Sequence, residues 1–472
     1  MSLAVRLLRA LHVAARIFAS YALQGALVRL LQRELPASDR EGPRHKLPAW
    51  LKRRGLGLHE RNAERLLHSI LRLQGVYVKL GQVLSIMGGF LPSAFRKKLE
   101  TLQDAVPPRP FAQMQAQFVE SLGRPTSECF AHIESTPIAA ASLGQVHVAY
   151  LHDGRKVAVK ILYPGIRELV RLDLRLLRWA LRAYQRYLPV GNLEVVHTSL
   201  VDLLRRETDY VHEAQCMRRF ADNFKDRPYV LCPEVIAELS TREVLTMTFM
   251  EGIKVSHVAT LAQQGIAVEV VAQRLLECFF EQLFVHRFFH ADPHPGNFLV
   301  RKGESAEDPL LVVLDFGAVS EAREDLVEGL VDVLVAYFGR DGQALLRGFT
   351  RMGFAAGGGD QTLLEETVLM YFERLLTVKQ RTPAALMRAR TGELRKLVDP
   401  NMELHRVREL ARAFTYPEGW FYIERALVMT FWLCGEIYPE IDMLGAAFPY
   451  VMPKLAARQL QSERVKQSES VT

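Results

Sequence analysis

The pattern of apolar and polar residues is helical from the start of the chain. From Ser2 to Gln24, polar residues that include Arg6, Arg9 and Arg16 fall within about a third of the helix circumference, and the remainder is apolar. The longest stretch without a charged residue or histidine, residues 17–28, is too short to span a bilayer. This pattern predicts a basic amphipathic helix that lies in the headgroup region of a membrane.

Two other interpretations of this segment stay open. A helix that packs on the protein's own core would show similar periodicity. An organelle-targeting peptide also fits, because the first 33 residues contain five arginines and no acidic residue. The polar, proline-containing residues 36–48 then predict a linker, and helical patterns follow until Gly123.

The period changes from helical to alternating at Pro137. Residues 137–162 alternate and are rich in β-branched side chains, with a tight turn at Asp153–Gly154, which predicts about three antiparallel strands. Helical patterns resume after Pro164, another strand is predicted at "REVLTMTFMEG", and helices dominate from Val255 onward. A short pair of strands, 297–300 and 310–314, interrupts this helical part. The predicted fold class is α+β, with a small sheet-rich lobe, a helix-rich lobe and a cleft between them.

Composition adds limits to this picture. The chain has 472 residues, of which 49% are hydrophobic and 24% charged, so it can bury a sizeable core. Its five cysteines are scattered and never form a C-x-x-C pair, which fits a reducing compartment and argues against a structural zinc site. The net charge is +7, and residues 1–54 carry eleven Lys or Arg against three Asp or Glu. The basic balance therefore belongs to the N-terminal segment and gives no reason to expect nucleic-acid binding.

Two patterns in the predicted strands suggest phosphate binding. "AAASLGQV" follows the G-x-G-x-x-G-x-V spacing of a glycine-rich nucleotide loop, although alanine replaces the first two glycines. The candidate nucleotide-binding residues of this loop are Ala139, Ala140, Ala141, Ser142, Gly144 and Val146. Lys160 in "VAVK" is a candidate phosphate-binding and catalytic lysine, since a lysine held in an apolar strand is costly to bury unless it is paired. A hairpin connection and a lysine that reaches solvent from an edge strand are the structural alternatives.

Acidic residues cluster in "RETDYVHEAQCMRRF". Glu207, Asp209 and Glu213 are predicted to lie on one helix. Glu213 is the candidate partner of Lys160, as the helix glutamate that fixes a phosphate-binding lysine. Acidic residues on amphipathic helices usually face solvent, so this assignment depends on the other motifs.

The catalytic signal is strongest in "HADPHPGN" and "LDFG". His290, Asp292 and Asn297 reproduce the H-x-D-x-x-x-x-N spacing of a phosphotransfer loop, and Asp315 opens the D-F-G motif. Asp292 would orient or deprotonate the attacking group. Asn297 and Asp315 would hold Mg²⁺, because hard cations prefer oxygen ligands. Each motif alone is also a turn-forming sequence, but their order and spacing together favour chemistry.

Two features of an ordinary protein kinase are missing from the sequence. Ala291 occupies the position of the arginine that detects activation-loop phosphorylation. The D-F-G motif is followed almost directly by a helical pattern, with no long activation segment and no A-P-E motif. An ordinary protein kinase uses that segment as its platform for peptides, so protein-kinase activity of the usual kind is not expected.

These motifs together resemble a known family. "KLGQVLS", "AAASLGQVH", "VAVK", "ETDY", "HADPHPGN" and "LDFG" are similar to the motifs of the UbiB family of atypical kinases, also called AarF-like or ubiquinone-biosynthesis kinase-like. The resemblance extends from about residue 60 to the D-F-G motif and continues weakly through residues 421–451. It implies an α+β, bilobal protein-kinase-like fold with an added helical K-x-G-Q extension.

The resemblance also implies a domain organisation and a gate over the active site. The expected segments are 1–55, the basic amphipathic segment and linker; 56–125, the K-x-G-Q extension; 126–254, the N-lobe; and 255–472, the C-lobe. By resemblance, Lys79 and Gln82 lie over the active site and contact Glu207 and Asp209, which occludes the place where a peptide would dock.

The leading hypothesis is an ATPase or atypical kinase that uses ATP and Mg²⁺ and supports ubiquinone or other isoprenoid-lipid metabolism. By resemblance, its partners are an adenine nucleotide, an anionic membrane surface, a prenylated lipid or quinone precursor, and proteins of a biosynthetic complex. Bacterial members often carry C-terminal transmembrane helices, whereas this chain ends in a polar stretch. Attachment to the inner face of a membrane is therefore expected through the N-terminus or a partner, from the cytoplasm or within an organelle. The alternatives are a small-molecule kinase of the aminoglycoside- or choline-kinase-like class and a nucleotide-gated lipid-binding scaffold.

Overall fold

The structure is a computed structural model, and it describes residues 3–33, 49–73, 77–78, 81, 93–99, 107–187, 193–355, 358, 360–376 and 412–456. The chain divides into two compact units. The first contains the described residues of Met1–Tyr210 together with Ile236–Thr246. The second contains those of Val211–Val235, Met247–Arg395 and Leu404–Thr472.

The first unit begins with helices and continues into a sheet, as the change of period predicts. Its helices are α1 (Leu3–Arg33), α2 (Ala49–Leu73), α3 (Ser93–Leu99), α4 (Phe111–Leu122), α5 (Thr126–Cys129), α6 (Ile166–Tyr187) and α7 (Leu193–Glu207). Its strands are β1 (His132–Ile133), β2 (Ala139–Ala140), β3 (Gly144–Tyr150) and β4 (Lys156–Leu162), and β6 (Val244–Thr248) joins the same sheet. Helix α4 ends at Gly123, whose φ of 74° is the left-handed conformation that glycine adopts without strain.

The core of the first unit lies between this sheet and helix α4. The alternating residues Val157, Val159 and Ile161 of β4 are fully buried. Phe118 of α4 is also buried, and its ring centroid lies 5.4 Å from that of Phe130. Burial of these apolar side chains stabilises the sheet at roughly 1.5–3 kcal/mol for each large side chain. This packing fixes β3 and β4, which carry the residues predicted to bind phosphate.

Helix α1 contacts α2 through polar side chains. Asn62 Nδ2 donates to Ser20 Oγ at 2.8 Å, and Tyr21 Oη lies 2.8 Å from His59 Nδ1. Among the described residues, one helical segment, Leu8–Val28, is long enough and apolar enough to cross a membrane. Signal sequences can have the same length and composition. This finding differs from the expectation above, which counted only the residues between charged or histidine positions.

The second unit is mainly helical and contains two small sheets. Its helices are α8 (Tyr210–Asn223), α9 (Val258–Gln263), α10 (Val268–Phe280), α11 (Glu324–Gly339), α12 (Gly342–Arg351), α13 (Gln361–Leu376) and α14 (Trp420–Ile437). Its other strands are β5 (Val230–Leu231), β7 (Ile253–Lys254), β8 (Phe288–His290), β9 (Phe298–Arg301), β10 (Leu310–Val313) and β11 (Val319–Glu321). One sheet has the order β5-β10-β9-β7, and β8 pairs with β11.

The strand pair predicted in the helical part is present, and the register of its two strands matters for the site. β9 and β10 are antiparallel, with Phe298 opposite Val313. Strands β8 and β11 were not expected, because three-residue strands are too short to show an alternating pattern. Helix α14 packs against α10 in the core, where Cys434 Sγ lies 3.6 Å from the carbonyl oxygen of Ala272.

Candidate active site

The alanine-rich segment forms a tight β-hairpin in the first unit. Ala139 and Ala140 pair with Val146 and Gln145. The N–H of Ala141 donates to the carbonyl of Gly144 at 2.8 Å and closes a turn through Ser142. The predicted loop residues therefore lie together, and the structural alternative of a hairpin describes their backbone correctly.

Gly144 is required by packing at the start of β3. A Cβ at this position would lie 2.5 Å from the carbonyl oxygen of Ile161 and 2.9 Å from Tyr210 Oη. Gly144 also lacks the positive φ found at other glycines of the chain. The glycine therefore permits close contact between β3, β4 and Tyr210, rather than an unusual loop conformation.

Lys160 lies in the interior of the sheet. Strand β4 is flanked by β3 and β6, so the alternative of an edge-strand lysine is wrong. Lys160 is half-buried, and its Nζ lies 5.2 Å from the centroid of the Tyr210 ring, within the range of a cation–π interaction. Tyr210 thus contacts both the hairpin glycine and the predicted phosphate-binding lysine.

The acidic cluster is split between two helices. Glu207 is the last residue of α7, Asp209 lies between helices, and α8 begins at Tyr210 and contains Glu213. The prediction that Glu207, Asp209 and Glu213 share one helix is therefore wrong. A backbone hydrogen bond from Tyr210 N–H to the carbonyl of Arg242, at 3.1 Å, accompanies this break.

Asp209 is held by an arginine in the first unit. Arg242 Nη2 lies 2.7 Å from Asp209 Oδ2, and Arg242 Nε donates to the same oxygen at 2.9 Å. This pairing fixes the turn between α7 and α8. The K-x-G-Q residues Lys79 and Gln82 lie outside the described residues, so their predicted contacts with Glu207 and Asp209 stay predictions.

A buried polar network supports the hairpin strand. Gln145 and His147 are fully buried on β3, and Gln145 Nε2 lies 2.9 Å from His147 Nε2. His147 Nδ1 lies 2.8 Å from the carbonyl of Glu134, and the N–H of Arg109 donates to Gln145 Oε1 at 2.9 Å. Because the amide donates to Nε2, the imidazole carries its proton on Nδ1. Burial lowers the pKa of His147, partly offset by its hydrogen bond to Glu134.

In the second unit, Glu213 contacts the D-F-G segment. Glu213 is fully buried, and its Oε1 accepts a 3.4 Å hydrogen bond from the N–H of Phe316. The N–H of Gly317 donates to Asp315 Oδ1 at 2.9 Å. The Phe316 ring is fully buried against Phe220, with centroids 5.0 Å apart. The motif is thus anchored by Glu213 and by an aromatic contact, which fixes the backbone that carries Asp315.

The H-x-D-x-x-x-x-N segment folds into a compact loop held by its own side chains. The N–H of Asp292 donates to His290 Nδ1 at 3.1 Å, and Asn297 Nδ2 donates to the carbonyl of Asp292 at 3.2 Å. The N–H of His290 donates to Gln282 Oε1 at 2.9 Å. Gln282 lies in a π-helical turn, Glu281–Val285, a local distortion often found near functional sites.

Asn297 and Asp315 lie at the same end of the β9–β10 pair. Asn297 directly precedes β9, and the N–H of Leu314 donates to its carbonyl at 3.0 Å. Asp315 is the next residue after Leu314, so the register that pairs Phe298 with Val313 brings the two predicted metal ligands to one edge. Asp292 joins them through its hydrogen bond to Asn297.

Arg425 is a site residue that the sequence analysis missed. Its Nη2 lies 2.7 Å from Asp292 Oδ1, and its side chain is only 2% exposed. It comes from helix α14, far away in sequence. An arginine in the apolar stretch "FYIERALVMTF" was the available signal, because a charged residue in a buried helix needs a partner.

The donor atoms at this edge suit Mg²⁺. A magnesium ion next to phosphates is usually held by one or two protein oxygens, and Asn297 and Asp315 provide an amide and a carboxylate oxygen. Within the described part of the chain, no group of three or more His, Cys, Asp or Glu side chains forms a separate metal cluster. The two residues would therefore bind the ion together with ligand oxygens, rather than as a cage made by protein alone.

Comparison with known proteins identifies the family. Residues 101–348, just over half of the chain, match the ABC1 atypical kinase-like domain. The chloroplastic protein ACTIVITY OF BC1 COMPLEX KINASE 8 of Arabidopsis thaliana is 30% identical over 424 residues, which are 85% of this chain and 55% of that protein. The probable protein kinase UbiB of Marinobacter nauticus is 36% identical over 282 residues, 59% of this chain and 51% of that protein.

This chain spans about half the length of these curated relatives. Among solved structures, that of a Mycobacterium tuberculosis protein in complex with erythromycin covers 83% of this chain and 99% of its own, at 26% identity and a TM-score of 0.48. The family match confirms the expected α+β kinase-like fold and the family resemblance. The chain belongs to the ABC1 atypical kinase-like family, which includes the UbiB and AarF-like proteins.

Proposed function

We propose that this protein is a Mg-ATP-dependent atypical kinase or ATPase that supports ubiquinone or other isoprenoid-lipid metabolism at a membrane. One observation carries the proposal: hydrogen bonds and strand register bring Asp292, Asn297 and Asp315, which have the sequence spacing of a phosphotransfer motif, to one end of the β9–β10 pair. Membership of a kinase-like family supports the same chemistry.

In this proposal, each residue has a separate role. Lys160 contacts the phosphates of ATP, the hairpin at Ala139–Val146 contributes backbone groups, and Asp292 orients the attacking hydroxyl or water. Asn297 and Asp315 hold Mg²⁺, which neutralises charge on the phosphate oxygens when bound. Glu213 keeps the D-F-G backbone in place through Phe316, and we propose it also as the partner of Lys160.

Arg425 refines the role of Asp292. The buried guanidinium of Arg425 lies 2.7 Å from Asp292 Oδ1 and fixes the orientation of this carboxylate. In this proposal the oriented carboxylate of Asp292 positions the acceptor group. Catalysis by positioning and charge neutralisation is what phosphoryl transfer demands most.

The membrane and lipid part of the proposal is supported by the relatives and by helix α1. One relative is named a probable protein kinase UbiB and another is named as chloroplastic. These names support a function at a bacterial or organelle membrane. Helix α1 leaves Leu8, Leu23 and Leu30 exposed. We propose that the protein attaches peripherally to a membrane and serves a prenylated lipid or quinone precursor, with proteins of a biosynthetic complex as further partners.

The test is Mg²⁺-dependent ATP hydrolysis by the wild type and Asp315→Asn, with and without anionic vesicles that carry a phenolic quinone precursor. Loss of a metal ligand should lower kcat by about 100-fold or more. Asp222→Asn is the matched control, because Asp222 is an exposed aspartate of the same unit and should leave the rate unchanged.

Lys160→Met tests nucleotide binding in the first unit. It should weaken ATP binding, whereas Lys156→Met, two pleats away on the same face of β4, should not. Equal hydrolysis by wild type and Asp315→Asn would refute the proposed catalysis. Nucleotide binding without Asp315-dependent turnover would favour a scaffold, and phosphate transfer to a soluble alcohol would favour a small-molecule kinase.

A further inference from the structure

Helix α6 carries a row of arginines that the proposed chemistry does not use. They recur every three or four residues, which places them within about 100° of the helix circumference. We call this row the α6 arginine stripe; it consists of Arg167, Arg171, Arg175, Arg178, Arg182 and Arg186. The helix contains no lysine. Of its two acidic residues, Glu168 lies at the edge of the stripe and Asp173 is buried.

The middle of the stripe faces solvent. Arg171, Arg175 and Arg178 are exposed, and within the described ranges of the chain no side chain or carbonyl binds their guanidinium groups. Arg167 differs, because its Nη1 lies 3.1 Å from Glu243 Oε1. Three adjacent positive charges without an acidic partner are a surface that attracts a polyanion.

The buried side of α6 shows why the stripe points outward. Val170 and Leu174 are buried, and the carbonyl of Leu174 lies 3.4 Å from His197 Nε2 on helix α7. The apolar face is therefore occupied by the protein itself. The helix cannot insert into lipid along its whole length, but the stripe can lie on a charged surface.

Trp179 adds an apolar contact next to the stripe. It follows Arg178 directly, and 62% of its side chain is exposed. An exposed indole beside arginines is typical of the interface between lipid headgroups and acyl chains, where the ring is half in each phase. A purely electrostatic partner would give no reason for this ring to remain uncovered.

We infer that the α6 arginine stripe is a docking surface for an anionic lipid bilayer. From Arg171 to Arg178 the helix rises about 10 Å, so the guanidinium groups meet several headgroups rather than one phosphate. Guanidinium groups bind phosphates in a bidentate manner, which suits arginine better than lysine at such a surface.

A bilayer fits better than a nucleic acid or an acidic protein because the same unit offers a second feature of membrane proteins. Helix α1 contains a segment apolar enough to cross a membrane and exposes Leu8, Leu23 and Leu30. Neither those leucines nor Trp179 would gain from contact with a polynucleotide backbone. This inference rests on the proposed membrane association and identifies a second contact site, which requires no nucleotide.

The experiment measures sedimentation of the full chain with vesicles, without nucleotide, using phosphatidylcholine with and without phosphatidylglycerol. The stripe variant carries Arg171→Gln, Arg175→Gln and Arg178→Gln together. At low salt, the partition onto anionic vesicles should fall roughly 100-fold, since each arginine near such a surface contributes several-fold. The difference should shrink as salt is added.

The matched control removes the same charge elsewhere. Lys225, Arg301 and Lys302 are exposed residues of the second unit, and their combined change to Gln should leave vesicle binding near that of the wild type. Basal ATP hydrolysis in the absence of lipid should be the same in both triple variants. The urea unfolding midpoint of each variant reports that it is folded, and this readout keeps a failure of this inference separate from a failure of the proposed catalysis.

Trp179→Ala separates a bilayer from other polyanions. It should weaken binding to anionic vesicles several-fold and leave binding to heparin unchanged. Wild-type vesicle binding by the stripe variant would overturn the inference and leave α1 as the membrane contact. The inference would also be overturned if the stripe variant lost RNA or heparin binding but kept vesicle binding. It would fail as well if the wild type bound vesicles equally with and without phosphatidylglycerol.

Discussion

The ion pair between Arg425 and Asp292 offers the sharpest test of the site geometry. Arg425→Met keeps the length and apolar stem of the side chain but removes its charge, so it leaves the Asp292 carboxylate without its buried partner. The two side chains are only 2% and 14% exposed, so water does not replace the guanidinium. Loss of one partner from a buried pair costs about 3–5 kcal/mol of unfolding free energy.

The magnitude follows from the distance and the burial. Unit charges 2.7 Å apart attract by about 6 kcal/mol at an effective dielectric constant of 20, before the cost of desolvation is subtracted. A matched control is the pair Arg287–Glu324 in the same unit, at 2.8 Å but with side chains 45% and 76% exposed. Arg287→Met should therefore cost less than about 1 kcal/mol.

The assay is urea unfolding followed by tryptophan fluorescence. Trp420 and Trp432 lie on α14, the helix that carries Arg425, so they report unfolding of the relevant unit. Trp50→Phe and Trp179→Phe in every protein of the series remove the other two tryptophans.

A double-mutant cycle isolates the pair. Arg425→Met combined with Asp292→Asn removes both charges and should restore at least about 1 kcal/mol relative to the sum of the single changes. Additive losses in the cycle would show that the two side chains do not interact in solution. A cost for Arg425→Met no greater than for Arg287→Met would refute the argument from burial.

Two further predictions concern the first unit. Gly144→Ala should destabilise this unit by about 1–3 kcal/mol in urea unfolding, because the new Cβ would lie 2.5 Å from the carbonyl oxygen of Ile161. The control is Gly339→Ala in the second unit, where the Cβ would meet open space and the change should be neutral or slightly stabilising. Folding lowers the pKa of His147, so as the pH falls the imidazole is protonated in the unfolded chain before it is protonated in the folded protein. The stability that the neutral imidazole contributes is therefore complete above the unfolded pKa of about 6.5 and is lost as the pH falls through the lower pKa of the folded protein. His147→Gln should remove that part of the pH dependence, seen as a change in the slope of urea midpoint against pH, and an unchanged slope would contradict the burial of a neutral imidazole.

Much of the fold can be predicted from the sequence, because helices, strands and turns depend on residues only a few positions apart. The helix that ends at Gly123, the strands around Asp153–Gly154 and the pair that includes Phe298 all follow from periodicity and turn residues within a few positions. The break at Asp209 was missed, because the helical pattern continues through it. That break accompanies contacts of Asp209 and Tyr210 with Arg242, which is distant in sequence.

The candidate site could be predicted where its motifs are contiguous. Asp292, Asn297 and Asp315 were found by their spacing, and the structure brings them to one edge. Arg425 was missed because it joins the site through tertiary packing of α14. Tyr210 was missed for a related reason, since its contacts with Gly144 and Lys160 depend on how a helix start meets the sheet.

The closed turn of the alanine-rich hairpin limits how it can hold a ligand. The N–H of Ala141 already donates a hydrogen bond to Gly144 inside the turn, so this donor is not available to bind a phosphate. If ATP binds here as proposed, that N–H cannot also donate to a phosphate, so Lys160 and Mg²⁺ carry a larger share of the contacts to the triphosphate. Under the proposed function, nucleotide affinity should therefore depend more strongly on free magnesium than it does with an open glycine-rich loop.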